Sequence, residues 1–211
     1  AIDYARFNKL GDRGLMTGEW LAHCQACSAP EIASVFNRAG VAYHLVTGTL
    51  DDAEAWGEIG DWVAAARVRQ VMAQNRVGVL GHYYCGMLDV YSDMTQHSAA
   101  FGCHFEIVEM CHLKLYRDQA TAAQVADKLA EFQRVFTVSP ECSAHELERA
   151  ARTAVALDTL VDRHRLGSLA YYYESTPGTP YEDIVTSVIA GNTMLTGRGV
   201  PVAGEYEIKN A

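Results

Sequence analysis

Apolar residues recur at helical spacing through roughly the first third of the chain. "GLMTGEWLAHCQA" predicts a helix whose Leu15, Trp20, Leu21 and Cys24 draw a buried stripe. "SAPEIASVFNRAG" predicts a second, with Ser28 as N-cap, Glu31 as its capping-box partner, Pro30 in the first turn and Gly40 as the stop. "VAYHLVTG" reads as a strand ended by Gly48, and Asp51 caps a long helix through Gln74 with Trp56, Ile59, Trp62 and Val63 on one side.

From Arg76 the pattern becomes a strand–helix alternation. "RVGVLG", "HFEIVEMC", "SLAYYYE" and "VPVAGE" predict strands. "MLDVYSDMTQHSAAFG", "TAAQVADKLAEFQRVF", "SAHELERAARTAVALDTLVDRHRLG" and "YEDIVTSVIAGNTMLTGRG" predict helices. Short strands alternating with helices imply right-handed βαβ units and an α/β fold with a doubly wound parallel sheet, Rossmann-like or flavodoxin-like in three layers. Residues 1–75 are expected to be the C-terminal part of an N-terminal α/β domain plus a connecting helix, and residues 76–211 a central α/β domain. Neither an internal repeat nor a low-complexity linker interrupts them.

Composition narrows the function classes. With 49% hydrophobic and 20% charged residues, the 211-residue chain has ample material for a core. A net charge of −9 argues against a nucleic-acid partner, whose phosphates call for clustered Lys and Arg. No apolar run approaches the roughly 20 residues that span a bilayer. The six cysteines sit mostly in apolar or helical patterns, which fits reduced thiols and a cytoplasmic location. The chain opens on Ala1 and closes on "GEYEIKNA", so a piece of a longer polypeptide is expected.

In open α/β sheets ligands sit beyond the carboxyl ends of the strands. That rule selects "GHYYCGMLD", "EMCHL", "YYYESTPGT" and "AGEYE", and with them His82, Glu109, His112, Glu174 and Glu205. Gly78, Gly81 and Gly86, with Glu106 or Glu109 downstream, raise an NAD-dependent oxidoreductase domain as one alternative, but their spacing is not G-x-G-x-x-G. No Walker A loop is present. Cys24, Cys27 and His23 lack a further ligand pair for a metal knuckle, and the cysteines lie at a helix end rather than its start, against redox chemistry. His44, His97, His104, His145 and His164 have no partner spacing and read as structural or surface histidines. Tyr171-Tyr172-Tyr173 reads as strand packing before a sugar platform, while Met87 is open between core filler and pocket wall.

Three segments, "RVGVLGHYYCGMLDVYSD", "YYYESTPGTPYEDIVTSVIAGNTMLTGRGVPVAGEYEIKNA" and the "HCQA" neighbourhood, resemble the L-arabinose isomerase family within the wider L-arabinose/L-fucose isomerase superfamily. The resemblance implies a cytoplasmic aldose–ketose isomerase, dependent on a divalent metal such as Mn²⁺, that acts on a small sugar as a homo-oligomer, a trimer or hexamer. It further implies that the catalytic and metal-binding residues, two Glu and two His, belong to a C-terminal domain beyond this chain, which alone is expected to be inactive. Substrate contacts carried over by the resemblance are Gln25, reaching a neighbouring subunit's site, Met87, Val202 and, as either a structural or a ligand-contacting residue, Glu205. A non-catalytic sugar-binding α/β module is the other alternative.

Overall fold

The computed structural model describes residues 11–23 and 28–211, without the side chains of Ala22 and His23. Gln25, Cys24 and Cys27, on which the substrate-contact and metal-knuckle readings fell, lie outside the described residues. The chain divides into two compact units, Ala1–Arg67 and Val68–Ala211.

The first unit is helical among its described residues. It holds α1 (Met16–His23), α2 (Ser28–Ala39) and most of α3 (Ala53–Gln74). α2 ends as its glycine foretells: Gly40 is left-handed at φ 68°, and Val41 N–H donates back to the Phe36 carbonyl at 2.9 Å. Three expectations fail here. "VAYHLVTG" forms no strand, for it finds no neighbouring strand among the described residues. The stripe of α1 is not buried either, since Leu15 and Leu21 are exposed. The cap of α3 is Asp52, not Asp51: its carboxylate accepts from the N–H groups of Glu54 and Ala55 at 3.0 and 3.2 Å.

The second unit is an α/β fold built on a four-stranded, all-parallel sheet. Its strands are β1 (Arg76–Gly81), β2 (His104–Val108), β3 (Ser168–Tyr172) and β4 (Val202–Ala203), in the order β2-β1-β3-β4. Central β1 buries Val77 to Leu80 in an unbroken apolar run, whereas edge β2 buries only Val108 and leaves His104 and Ile107 exposed. The order reverses after β2, so the doubly wound switch point falls between β1 and β3.

Between β1 and β2 runs α4 (Met94–Phe101), started by Asp93, whose carboxylate accepts from Thr95 N–H at 2.8 Å and Gln96 N–H at 3.2 Å. This cap is why the expected helix from Met87 does not run through: Leu88–Val90 is only a 3₁₀ turn. α5 (Met110–Gln119) was hidden in the sequence because "EMC" continues the strand-like run; β2 stops at Val108 and Glu109 is the N-cap. α6 (Ala122–Val135) opens with a reciprocal Thr121–Gln124 capping box, and α7 (Ala144–His164) opens on Ser143. The expected last helix is split into α8 (Glu182–Val185) and α9 (Ile189–Gly197).

One sheet face packs Leu80, Val108 and Leu169 against Leu113 of α5, Leu157 and Leu160 of α7 and Leu195 of α9. α6 adds an outer layer on α7 through Val125 and Phe132. The other face carries Val77, Val79 and Ala170 under Met94 of α4 and the C-terminal Tyr206 and Ile208. At the amino end of the sheet, Glu106 accepts from Arg76 Nη2 at 2.5 Å and meets His164 Nδ1 at 3.2 Å, tying β1 and β2 to the end of α7.

His164 holds the Glu106 carboxyl below its ordinary value, burial opposes this, and Arg76 adds to the lowering. A lowered folded pKa means stabilisation that is complete above the unfolded carboxyl range, about pH 4–5, and lost as pH falls through the folded value. Glu106→Gln is therefore expected to flatten the acid limb of stability measured by urea denaturation. An unchanged slope would show that this tie contributes nothing.

Candidate functional site

The switch point is built by one close approach. Gly81, at φ 90°, ends β1 so near β3 that a Cβ there would lie 1.9 Å from the Tyr172 carbonyl oxygen. Only glycine permits both the dihedral and the distance. The same carbonyl accepts the His82 N–H at 2.9 Å, which turns the following loop over the end of β3.

Aromatic and acidic groups gather there. The His82 ring meets Tyr172 edge-on at 5.5 Å, and the Tyr84 ring lies 4.9 Å from it. Tyr172 Oη donates to Glu174 Oε1 at 3.0 Å. Burial, then this bond to a carboxylate, then the charges of Glu174 and Glu205 raise the Tyr172 phenol to about 12. Glu205 and Tyr206 are consecutive left-handed residues, φ 58° and 66°, held by the Tyr206 N–H donating to the Tyr171 carbonyl at 3.0 Å. Two such residues without glycine store about 1–3 kcal/mol each, the kind of strain that collects at ligand sites. Tyr206 is pinned below by Tyr83, 4.7 Å between rings, whose hydroxyl donates to the Ser92 carbonyl at 2.6 Å.

Of the strand-end residues the sequence selects, the structure thus groups His82, Glu174 and Glu205 around Tyr172. Glu109 caps α5, near enough to Tyr206 to raise its phenol after burial and Tyr83 have done so. His112 is not in this group: it stacks on His164 at 5.9 Å. Met87 is half-buried in the loop after β1, its N–H donating to the Tyr84 carbonyl at 3.2 Å. Val202 lies on the opposite sheet face, in an open cavity of about 490 Å³ between β4 and α9 that Tyr171, Asn192, Thr193 and Thr196 also line. Asn192 Oδ1 is buried there without a hydrogen-bond partner among the described residues.

Two groups escaped the sequence reading. Tyr172 reads in the sequence as strand packing, although strand alternation sends the middle residue of "YYY" to the face opposite its neighbours, beside Glu174. Asn192 is a lone amide in the apolar "VIAGNTML", a placement that signals a buried polar demand.

The dinucleotide alternative gains nothing from this geometry. A pyrophosphate needs free N–H groups at a helix start directly after β1. Here the next α-helix begins only at Met94, and Asp93 already caps it. Nor do the described residues suit a metal: no group of three or more His, Cys, Asp or Glu comes together among them. No described helix is long and apolar enough to cross a membrane.

No protein-family profile matches the chain. Among proteins of known function it is similar to an L-arabinose isomerase of Clostridium beijerinckii, 20% identical over 205 residues. That alignment takes in 97% of this chain and 41% of the isomerase, so the chain spans about two fifths of the length of this relative. The similarity points at most to a distant relation with sugar isomerases.

Gly81→Ala is expected to lower stability by more than about 2 kcal/mol, since a left-handed alanine and a carbonyl clash combine. The check is urea denaturation, and a neutral result would remove the close approach as a constraint. The Tyr172 phenol, pushed up to about 12 by burial and then by the Glu174 carboxylate, is expected to titrate lower in Glu174→Gln. Carbon-13 NMR of labelled tyrosine reads this directly, and an unchanged titration would mean that burial alone sets it.

Proposed function

We propose that this chain is part of a sugar isomerase-like protein, and that the crevice between β1 and β3 binds the sugar. The observation carrying the proposal is the alignment with an L-arabinose isomerase along 97% of the chain, in a fold whose switch point presents aromatic and carboxylate groups together. Tyr84 and Tyr172 offer ring faces to the C–H side of a pyranose or open-chain pentose, and Glu174 and Glu205 accept from its hydroxyls. His82 orients the crevice by its backbone bond to Tyr172.

Aldose–ketose interconversion shifts hydrogen between C1 and C2, commonly through an enediol that needs an acid/base group. The role proposed for these residues is to bind and orient the sugar and exclude water. Among the described residues no cluster of His, Cys, Asp or Glu fits a metal such as Mn²⁺. Gln25, toward a neighbouring subunit, Met87 and Glu205 remain the proposed substrate contacts from the family resemblance, whereas Val202 faces the cavity beside α9 on the opposite side of the sheet and is not proposed to touch a sugar in this crevice. A homo-oligomer is part of the proposal. It is supported by the large apolar side chains left exposed in the first unit, Leu50, Trp56, Trp62 and Val63 among them.

The test is saturation-transfer NMR with L-arabinose on this chain, alongside assay of aldose-to-ketose conversion by the whole gene product. Tyr172→Ala and Glu174→Ala are expected to weaken sugar binding about tenfold, near 1.4 kcal/mol. Binding unchanged in both variants would move the sugar elsewhere, and the absence of turnover on any pentose by the whole protein would sink the isomerase reading.

A further inference from the structure

Away from the crevice, three arginines converge where α5, α7 and α8 meet. Arg117 is 8% exposed, yet its single hydrogen bond among the described residues runs from Nε to the neutral Thr153 Oγ1, at 3.0 Å. Arg149 donates to Thr186 Oγ1 and to Glu146, but its Nε is buried without a hydrogen-bond partner among the described residues. Arg152 donates to the Ala120 carbonyl and to Glu148.

One carboxylate stands in front of the first two. Asp183 Oδ2 lies 3.6 Å from Arg117 Nη2, and Asp183 Oδ1 lies 3.6 Å from Arg149 Nε. Both distances suit an ion pair and exceed hydrogen-bond length. The carboxylate therefore faces two guanidinium groups and bonds to neither, while its own side chain is 58% exposed. Burial lowers the Arg117 pKa, Asp183 opposes this, and the charges of Arg152 and Arg149 lower it further. A buried guanidinium without a close hydrogen-bonded anion is costly. Arginine forks match the oxygens of phosphate as well as those of carboxylate.

We propose that Arg117, Arg149 and Arg152 seat a phosphate-class oxyanion, and that Asp183 is a displaceable stand-in for it. Glu146 and Glu148 already balance the outer sides of Arg149 and Arg152. The entering dianion replaces the charge of Asp183, whose exposed side chain swings to solvent. The ligand is inorganic phosphate or the phosphate group of a monoester.

The experiment is calorimetric titration of the purified protein with inorganic phosphate and, separately, glycerol phosphate, at ionic strength matched with chloride. Saturable binding is expected, tightened about tenfold by Asp183→Asn, which removes the competitor, and abolished by Arg149→Gln. Circular dichroism of each variant confirms that the fold is retained. Equal affinity for both ligands assigns the site to the free oxyanion, and tighter binding of glycerol phosphate assigns it to an ester. Phosphate binding no stronger than chloride, or isotherms of both variants that match the wild type, would overturn the proposal.

Discussion

The contact between Gly81 and the Tyr172 carbonyl governs much of the second unit. Parallel strands normally sit a fixed ladder distance apart, and their ends diverge into separate loops. Here the register Gly81↔Tyr172 is the last of the β1–β3 ladder, and the His82 N–H extends it by one more bond. The loop after β1 is thereby laid across the end of β3 and not away from it. Tyr83 then stands under Tyr206, and Tyr84 beside Tyr172. The strained Glu205–Tyr206 turn is affordable because this packing and the bond to the Tyr171 carbonyl hold it from both sides.

The sheet was legible in the sequence because its strands announce themselves twice, by apolar runs and by glycines at their ends. β1 emerges with its expected limits, and α6 and α7 follow their capping residues Thr121 and Ser143. Failures cluster where one residue outweighs a pattern. Asp93 interrupts an apolar-periodic stretch because a carboxylate satisfying two N–H groups starts a helix wherever it stands. α5 was lost because Met110 and Cys111 suit a strand as well as a helix, and only the end of the β2 ladder decides between them. In the first unit "VAYHLVTG" has strand composition without a neighbouring strand among the described residues, and composition alone makes no ladder.

The site was partly legible, for a physical reason. The rule that ligands lie beyond strand ends found His82, Glu174 and Glu205 without knowing the strand order. It carries nothing about which strand ends are neighbours, so it selects His112 and passes over Tyr172. Adjacency of β1 and β3 depends on a long-range crossover through α7, about which local spacing carries no information. The same holds for Arg117, Arg149 and Asp183, which are separated in sequence and brought together by helix packing alone.

The triplet Tyr171-Tyr172-Tyr173 links two compartments that share no surface. Tyr172 stands in the crevice, while Tyr171 and Tyr173, their rings 5.6 Å apart, occupy the α9 face, Tyr171 at the cavity wall and Tyr173 in the core. Three rigid rings on consecutive residues leave the strand end no independent adjustment, since shifting one drags the others. In directed evolution this end of β3 would behave as an indivisible block. Variants that reshape the crevice would arise through the loops after β1 and β4, and compensating changes would surface on α9, on the far side of the sheet.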